Sequence, residues 1–325
     1  MREAVFLRQN KAKWQQYELE PAAGPDELAA RFIELTDDLS YARTFYPNSA
    51  TANYLNELTG KLHQTLYKNN REDTGRFWRF WRLELPLLVA RHHRTLAWAL
   101  GFFLLATALG ALSAALDDTF VRVILGDDYV NETLRNIERG DPMAIYKGGG
   151  ETFMFVRITL NNVLVALKAF AAGIVPWVGT GYMLFFNGMM LGSFQYFFYQ
   201  HGVLLPSVLT IWIHGTLEIS AIVLAGGAGF VVGNSILFPG TYSRAESFRR
   251  GARDGMRLAI GLVPIFVVAG FLEGFVTRHT EMPLAASLLI IGTSASFIIG
   301  YFILYPLHLR RQAKRRGLSL DMLSS

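Results

Sequence analysis

Residues 210–237 read TIWIHGTLEISAIVLAGGAGFVVGNSIL and place His214 and Glu218 inside an otherwise apolar run. In lipid, ionisable groups are costly to bury unless they are paired, face a cavity or serve a pathway, so the pair marks a functional site within a membrane helix. Steps of three and four from His214 reach Glu218, Ala221, Ala225, Gly229 and Gly233, which share one face at 3.6 residues per turn. That face is polar at its start and small thereafter. Small residues let neighbouring backbones approach closely, which predicts that other helices, not lipid, cover it.

Five further stretches carry almost no charge: Thr95 to Leu116, Ile158 to Pro176, Trp177 to Gln200, Leu258 to Val276 and Leu284 to Tyr305. Each is roughly 20 residues, enough to cross a ~30 Å hydrocarbon core as a helix. The chain has 325 residues, 51% of them hydrophobic, and a mean hydropathy of +0.26. This is too apolar for an ordinary soluble globule and too charged for a chain buried in lipid throughout. The fold class expected is all-α: a polytopic bundle of six transmembrane helices over 95–309, with a helical domain over 1–75 and an interfacial helix over 76–94. Pro206 precedes the fourth span, whose first turns are expected to form a short re-entrant or interfacial helix.

Charge sets the expected orientation. Arg76, Arg79, Arg82, Arg91 and Arg94 precede the first span. Arg244, Arg249, Arg250, Arg253 and Arg257 lie between the fourth and fifth, and Arg310, Arg311, Lys314, Arg315 and Arg316 open a basic tail over 310–325. Six crossings put all three sets on one side. The loop 117–155 on the other side is acidic, with Asp117, Asp118, Asp127, Asp128, Glu132, Glu138, Asp141 and Glu151. The positive-inside rule then makes both termini cytoplasmic and the acidic loop external. Residues 1–94 are polar and lack the pattern of a cleavable signal. The net charge of +5 collects beside membrane segments, so it is not a nucleic-acid footprint. With no cysteine, disulfides and thiolate chemistry are excluded.

In the N-terminal part, Leu28, Phe32, Leu35 and Leu39 repeat at helical spacing after Gly24-Pro25-Asp26. Tyr46-Pro47-Asn48 ends that helix, and Tyr54, Leu58, Leu62 and Leu66 mark another. Their stripes are expected to cover one another. Next, Arg76, Trp78, Arg79, Trp81 and Arg82 interleave arginine with aromatics. Headgroup-level Trp and lipid-facing Arg explain this better than base stacking does, as an interfacial helix turning into the membrane at Pro86. In the acidic loop, Val130, Leu134 and Ile137 give a short helix one apolar face, and Lys147-Gly148-Gly149-Gly150 reads as a turn into the second span.

The other polar residues within spans are Asn161, Asn162 and Lys168 in the second, Asn187 and Gln195 in the third, and Glu273 in the fifth. Counting ~1.5 Å per residue puts Lys168 near the bilayer centre and Asn161, Asn162, His214 and Glu273 in the outer half. Lys168 with Glu218 or Glu273 is the opposite-sign pair expected there. The competing reading is a buried polar network that only locks helices together. His201 and His279 are external contributors from the ends of the third and fifth spans. A metal site is a weak candidate, since His214 and Glu218 supply two ligands where zinc needs three or four. No cofactor is expected, and no catalytic set is recognisable. Gly188/Gly192, Gly229/Gly233 and Gly270/Gly274 are four apart and read as packing devices.

Taken together, these residues resemble the stage II sporulation protein M family of integral-membrane proteins. The resemblance rests on Asn161-Asn162, Asn187-Gly188 with Gly192, His201-Gly202, His214-Gly215-Thr-Leu-Glu218, the run Ala225-Gly226-Gly227-Ala-Gly229 and Pro239-Gly240. It covers roughly residues 85–310 and implies a bacterial cytoplasmic membrane protein whose sporulating relatives act as scaffolds for cell-wall hydrolases. The first functional expectation is therefore a non-enzymatic scaffold that recruits envelope or cytoplasmic partners, among them cell-wall machinery, with self-association as a further mode. The alternative is a carrier of a small solute, ion or lipid through an outer-half polar cavity; an intramembrane metal-dependent hydrolase ranks third. The resemblance favours the scaffold and the ionisable cluster favours the carrier, since a scaffold needs no central lysine.

Overall fold

A computed structural model describes residues 2–22, 24–68, 75–147, 150–280 and 282–316. The sequence readings for Gly148, Gly149 and 317–325, and for the side chains of Leu66 and Arg76, lie outside it. The elements are all helical among the described residues, and the chain divides into two compact units, Met1–Trp78 and Arg79–Ser325.

The first unit contains α1 (Glu3–Leu19), α2 (Pro25–Phe45) and α3 (Ala50–Lys68). Pro25 sits in the first turn of α2, where its missing N–H costs nothing. Leu35 and Leu39 of α2 meet Leu55, Leu58 and Leu62 of α3 in one core, with Leu28, Phe32 and Tyr54 at its edge. The stripes therefore cover one another as expected. The third wall comes from α1, which supplies Phe6 and Trp14. Trp14 donates its indole N–H to Asp38 at 2.8 Å, so burying it strands no polar group.

Among the described residues five helices are long and apolar enough to cross a membrane: Phe77–Leu116, Glu151–Ile174, Leu204–Leu237, Arg244–Thr277 and Leu284–Arg316. The sequence reading counted one more, α9 (Val178–Gln200), which follows α8 (Glu151–Ala171). α9 is 23 residues long and uncharged, but its glycines, tyrosines, Asn187 and Gln195 dilute its apolar content, and it is not among the five. It packs along α5 (Leu85–Leu116) as a full member of the bundle.

Two expected breaks in the chain are absent. The helix does not turn at Pro86: α4 (Arg76–Arg79), a π-helical turn at Phe80–Glu84 and α5 follow without interruption. Pro86 occupies the first turn of α5, and Leu85 to Ala90 are buried in the bundle, so this part of 76–94 belongs to the core and not to an interfacial surface. Arg79 and Arg82 remain exposed, whereas Trp81 packs against the core. Likewise Pro206 starts no separate helix, because it too lies in a first turn, that of α10 (Leu204–Leu237). α10 runs 34 residues as one rod, about 51 Å at 1.5 Å per residue.

α10 is the axis of the unit. Of its most apolar window 67% is buried, against 17% for α8 and for the final helix. It touches α5, α8, α9, α11 (Arg244–Phe271) and α12 (Leu284–Ile299). Leu217, Ala221, Ala225 and Ala228 of α10 meet Leu258, Leu262, Ile265 and Phe266 of α11, with Leu85 and Leu88 of α5 closing the core. α6 (Phe120–Leu125) and α7 (Asp127–Glu138) fill the 117–155 loop and cap the bundle beside the N-terminal end of α10, where Val121 and Val130 join Phe197, Phe198 and Ile211. The helix expected from Val130, Leu134 and Ile137 is α7; α6 lies outside that reading.

Candidate functional site

Four helices converge on a cavity of about 770 Å³ around the N-terminal half of α10. α8 contributes Asn161 and Asn162, α9 contributes Asn187, α10 contributes His214 and Glu218, and Glu273 comes from the end of α11. Six of the residues singled out in the sequence thus line one space. Phe103, Leu191, Ile219 and Ile222 form apolar wall, while Tyr129 and Tyr146 enter from the capping loop. A volume near 770 Å³ is roughly 25 waters' worth at ~30 Å³ each, far beyond a packing defect.

His214 is the fixed point. It is buried, with only 5% of its surface exposed, and its Nδ1 lies 3.0 Å from Thr277 Oγ1. Its Nε2 is 3.7 Å from Glu273 Oε2. Glu273 and Thr277 both sit in a π-helical turn, Leu272–Thr277, that continues α11. The widened turn brings side chains four apart to one imidazole, and such turns recur at functional sites. One turn along α10, the Glu218 carboxyl lies beside the Asn162 side chain. Ligand atoms of His214, Glu218 and Glu273 are all within 4.8 Å of one another. The Tyr146 ring lies tilted beside His214, its centroid 6.2 Å away.

Not every group is satisfied. Asn162 is 6% exposed, and its Nδ2 has no hydrogen-bond partner among the described residues. The Tyr129 hydroxyl is in the same position. Buried amides are normally bonded, so an orphan donor on a cavity wall points to something that enters the cavity.

Lys168 is a correction. It is exposed and forms no ion pair with Glu218 or Glu273. The second span was placed at Ile158 to Pro176, but its helix runs Glu151–Ala171, so Asn161 is the midpoint and Lys168 falls in the last turn. A lysine there extends its ammonium away from hydrocarbon instead of needing a buried partner. The basic group that does line the cavity is Arg157, one turn before Asn161. His201 and His279 stay outside the cavity. His201 is exposed and bonds the carbonyl of Phe197 at 2.8 Å; His279 lines a separate space of about 570 Å³ on the far side of Thr277. Gln195 is part-buried away from the cavity, its Nε2 without a partner among the described residues.

Reading the sequence missed Thr277, Arg157, Tyr129 and Tyr146. Thr277 is four residues beyond Glu273, and Arg157 four before Asn161, so the helical stepping used on α10 would have found both. The tyrosines lie in the capping loop, where no periodicity exists to aim them.

Beside and beyond the cavity, helices close on one another at the glycines. A Cβ at Gly229 would lie 2.5 Å from the carbonyl oxygen of Ala169 and closer still to Thr180 Oγ1. One at Gly188 would lie 2.7 Å from the Ala106 Cβ, and one at Gly192 would strike the backbone of Thr107 and Ala111. Gly233 approaches Pro176, Gly270 approaches Thr159 and Gly274 approaches Phe155. At the C-terminal end of α10, Asn234 accepts from the Trp177 indole at 3.0 Å and donates to Thr95 at 3.2 Å.

The fold and site define a polytopic α-helical membrane protein with a polar cavity inside its bundle. The family model of stage II sporulation protein M matches residues 99–278, more than half of the chain, and the chain belongs to that family. Residues 4–68 match the model of a domain of unknown function (DUF8413), over α1 to α3. Comparison with curated proteins and with solved structures gives no match.

Proposed function

We propose that this chain is a non-enzymatic membrane protein that takes a small polar solute or ion into the cavity around His214, as a carrier. The observation that supports this most is a cavity of about 770 Å³ whose polar wall includes the buried Asn162, its Oδ1 accepting from Asn161 at 3.5 Å and its Nδ2, beside the Glu218 carboxyl, without a partner in hydrogen-bond geometry among the described residues. A network serving only as glue would close its polar groups on one another. In the orientation proposed, the three arginine-rich segments and both termini are cytoplasmic, the membrane is the bacterial inner membrane, and the capped mouth faces outward. This orientation requires α9 to cross as a sixth span.

The second reading is a scaffold for envelope or cytoplasmic partners. Membership of the sporulation protein M family favours it, as does a helical unit of its own at the N-terminus. The two readings part on His214→Ala and Glu218→Gln, compared in purified, folded protein for thermal stability, partner recovery and solute flux into vesicles. The carrier reading expects flux to be lost while partners are retained. Loss of partners together with stability, both restored by stabilising changes elsewhere, would instead make the polar groups packing elements of a scaffold.

A further inference from the structure

We propose that His214, Glu218 and Glu273 bind a divalent metal ion of borderline softness, of the Zn²⁺ or Co²⁺ type. The proposal rests on reading the cavity as a ligand site and narrows it to a chemical class. His214 and Glu218 are one turn apart on α10, and Glu273 meets them from the π turn after α11. Their ligand atoms lie within 4.8 Å of one another, and the imidazole to Glu273 separation is 3.7 Å. An ion with bonds of ~2.0–2.2 Å holds its ligands about 3–3.5 Å apart. Carboxylate rotation on the order of 1 Å closes that difference.

Charge argues for a cation. Glu218 has no cationic partner among the described residues and Glu273 has only His214, because Lys168 is exposed at the end of α8. One divalent ion offsets two carboxylates, and Arg157, which also lines the cavity, is in ion-pair contact with neither of them. The second shell suits a metal as well. With its Nδ1–H donating to Thr277 Oγ1, at 3.0 Å, His214 keeps the Nε2 lone pair directed to the carboxylates, and the ring orientation is fixed. Imidazole with carboxylate favours Zn²⁺ or Co²⁺ over Mg²⁺ and Ca²⁺, which prefer all-oxygen sets. Three protein ligands leave at least one position open, and the unpartnered Asn162 Nδ2 stands beside Glu218 to donate to whatever occupies it.

The test uses the full chain, purified without a histidine tag, stripped with chelator and titrated with Co²⁺ and then Zn²⁺. One equivalent of Co²⁺ should bind, with a visible ligand-field band and one paramagnetically shifted imidazole N–H, and Zn²⁺ should displace it. His214→Gln, Glu218→Gln and Glu273→Gln should each weaken Co²⁺ binding by at least ~10-fold, and Thr277→Val by about 10-fold. Lys168→Met, which lies outside the cavity in the last turn of α8, should bind as the parent does. Circular dichroism and size-exclusion profiles establish that each variant is folded; if the ligand variants misfold, the parent's stoichiometry and shifted N–H decide. Undiminished Co²⁺ binding in folded Glu218→Gln and Glu273→Gln, or no Co²⁺ or Zn²⁺ binding by the folded parent, overturns the metal site. A solute that still stabilises such a metal-free parent, and ceases to when Asn161 and Asn187 are changed, would leave the cavity reading standing alone. Absence of both would sink the two together.

Discussion

The two halves of α10 solve the same problem in opposite ways. Toward its N-terminus, His214 and Glu218 face a cavity of about 770 Å³, and the Nδ2 of Asn162 has no partner in hydrogen-bond geometry among the described residues. Two turns further on, Ala225 and Ala228 have no exposed surface, and at Gly229 there is no room for even a methyl group beside Ala169 and Thr180. In lipid, helices gain nothing from hiding apolar surface from water, so close approach and dispersion must hold them together. The glycine half supplies that attachment. The polar half is thereby free to stay wide.

The largest effect should come from forcing the tight half apart. Gly229→Leu needs the α8 and α9 backbones to retreat, and is expected to cost ~3 kcal/mol or more, abolishing recovery of folded protein after purification. A yield and melting temperature equal to the parent's would show that the close approach is not what holds the bundle. In the wide half, His214→Ala removes one hydrogen bond to Thr277 and is expected to cost about 1–3 kcal/mol, measured as a fall in the unfolding temperature in detergent. A smaller change should follow Asn187→Leu, because Asn187 faces the cavity and bonds only the Met183 carbonyl of its own helix, at 2.8 Å; a shift below ~1.5 kcal/mol is expected. If Asn187→Leu is as damaging as Gly229→Leu, the contrast between the halves fails. Smallest of all should be Lys168→Met, within about 0.5 kcal/mol of the parent for a side chain outside the site. A large loss there would restore Lys168 to a buried pair.

Much of this arrangement could be read from residue spacing. The face His214, Glu218, Ala221, Ala225, Gly229 is buried or lines the cavity, because a 3.6-residue period leaves a helix little choice about which side chains share a side. Asn161, Asn162, Asn187 and Glu273 were legible for a simpler reason: polar groups in an apolar run have nowhere to go but inward. Lys168 escaped that rule because hydropathy marks a span's apolar centre poorly, and Glu151 to Arg157, polar enough to be left in the loop, belong to α8. The π turn at Leu272–Thr277 was invisible, since its residues, LEGFVT, do not differ in type from those of an ordinary turn. Trp14 and Phe6 of α1 were overlooked because one apolar residue per two turns makes no stripe. Depth along the axis, in short, was harder to infer than direction around it.

The order of elements along the chain gives the site a late birthday. α5, α8 and α9 are synthesised before α10, but Glu273 and Thr277 follow it, beyond the whole of α11. When α10 first enters the bilayer, His214 therefore has Glu218 beside it but neither Thr277 nor Glu273. Asn162 and Glu218 can already meet, so the nascent helix has one polar wall to lean on while the other is still in the ribosome. A chain stalled between α10 and α11 would expose an imidazole to lipid, which is a signal that membrane quality control can recognise and a reason for biogenesis, as well as function, to constrain the spacing from His214 to Thr277.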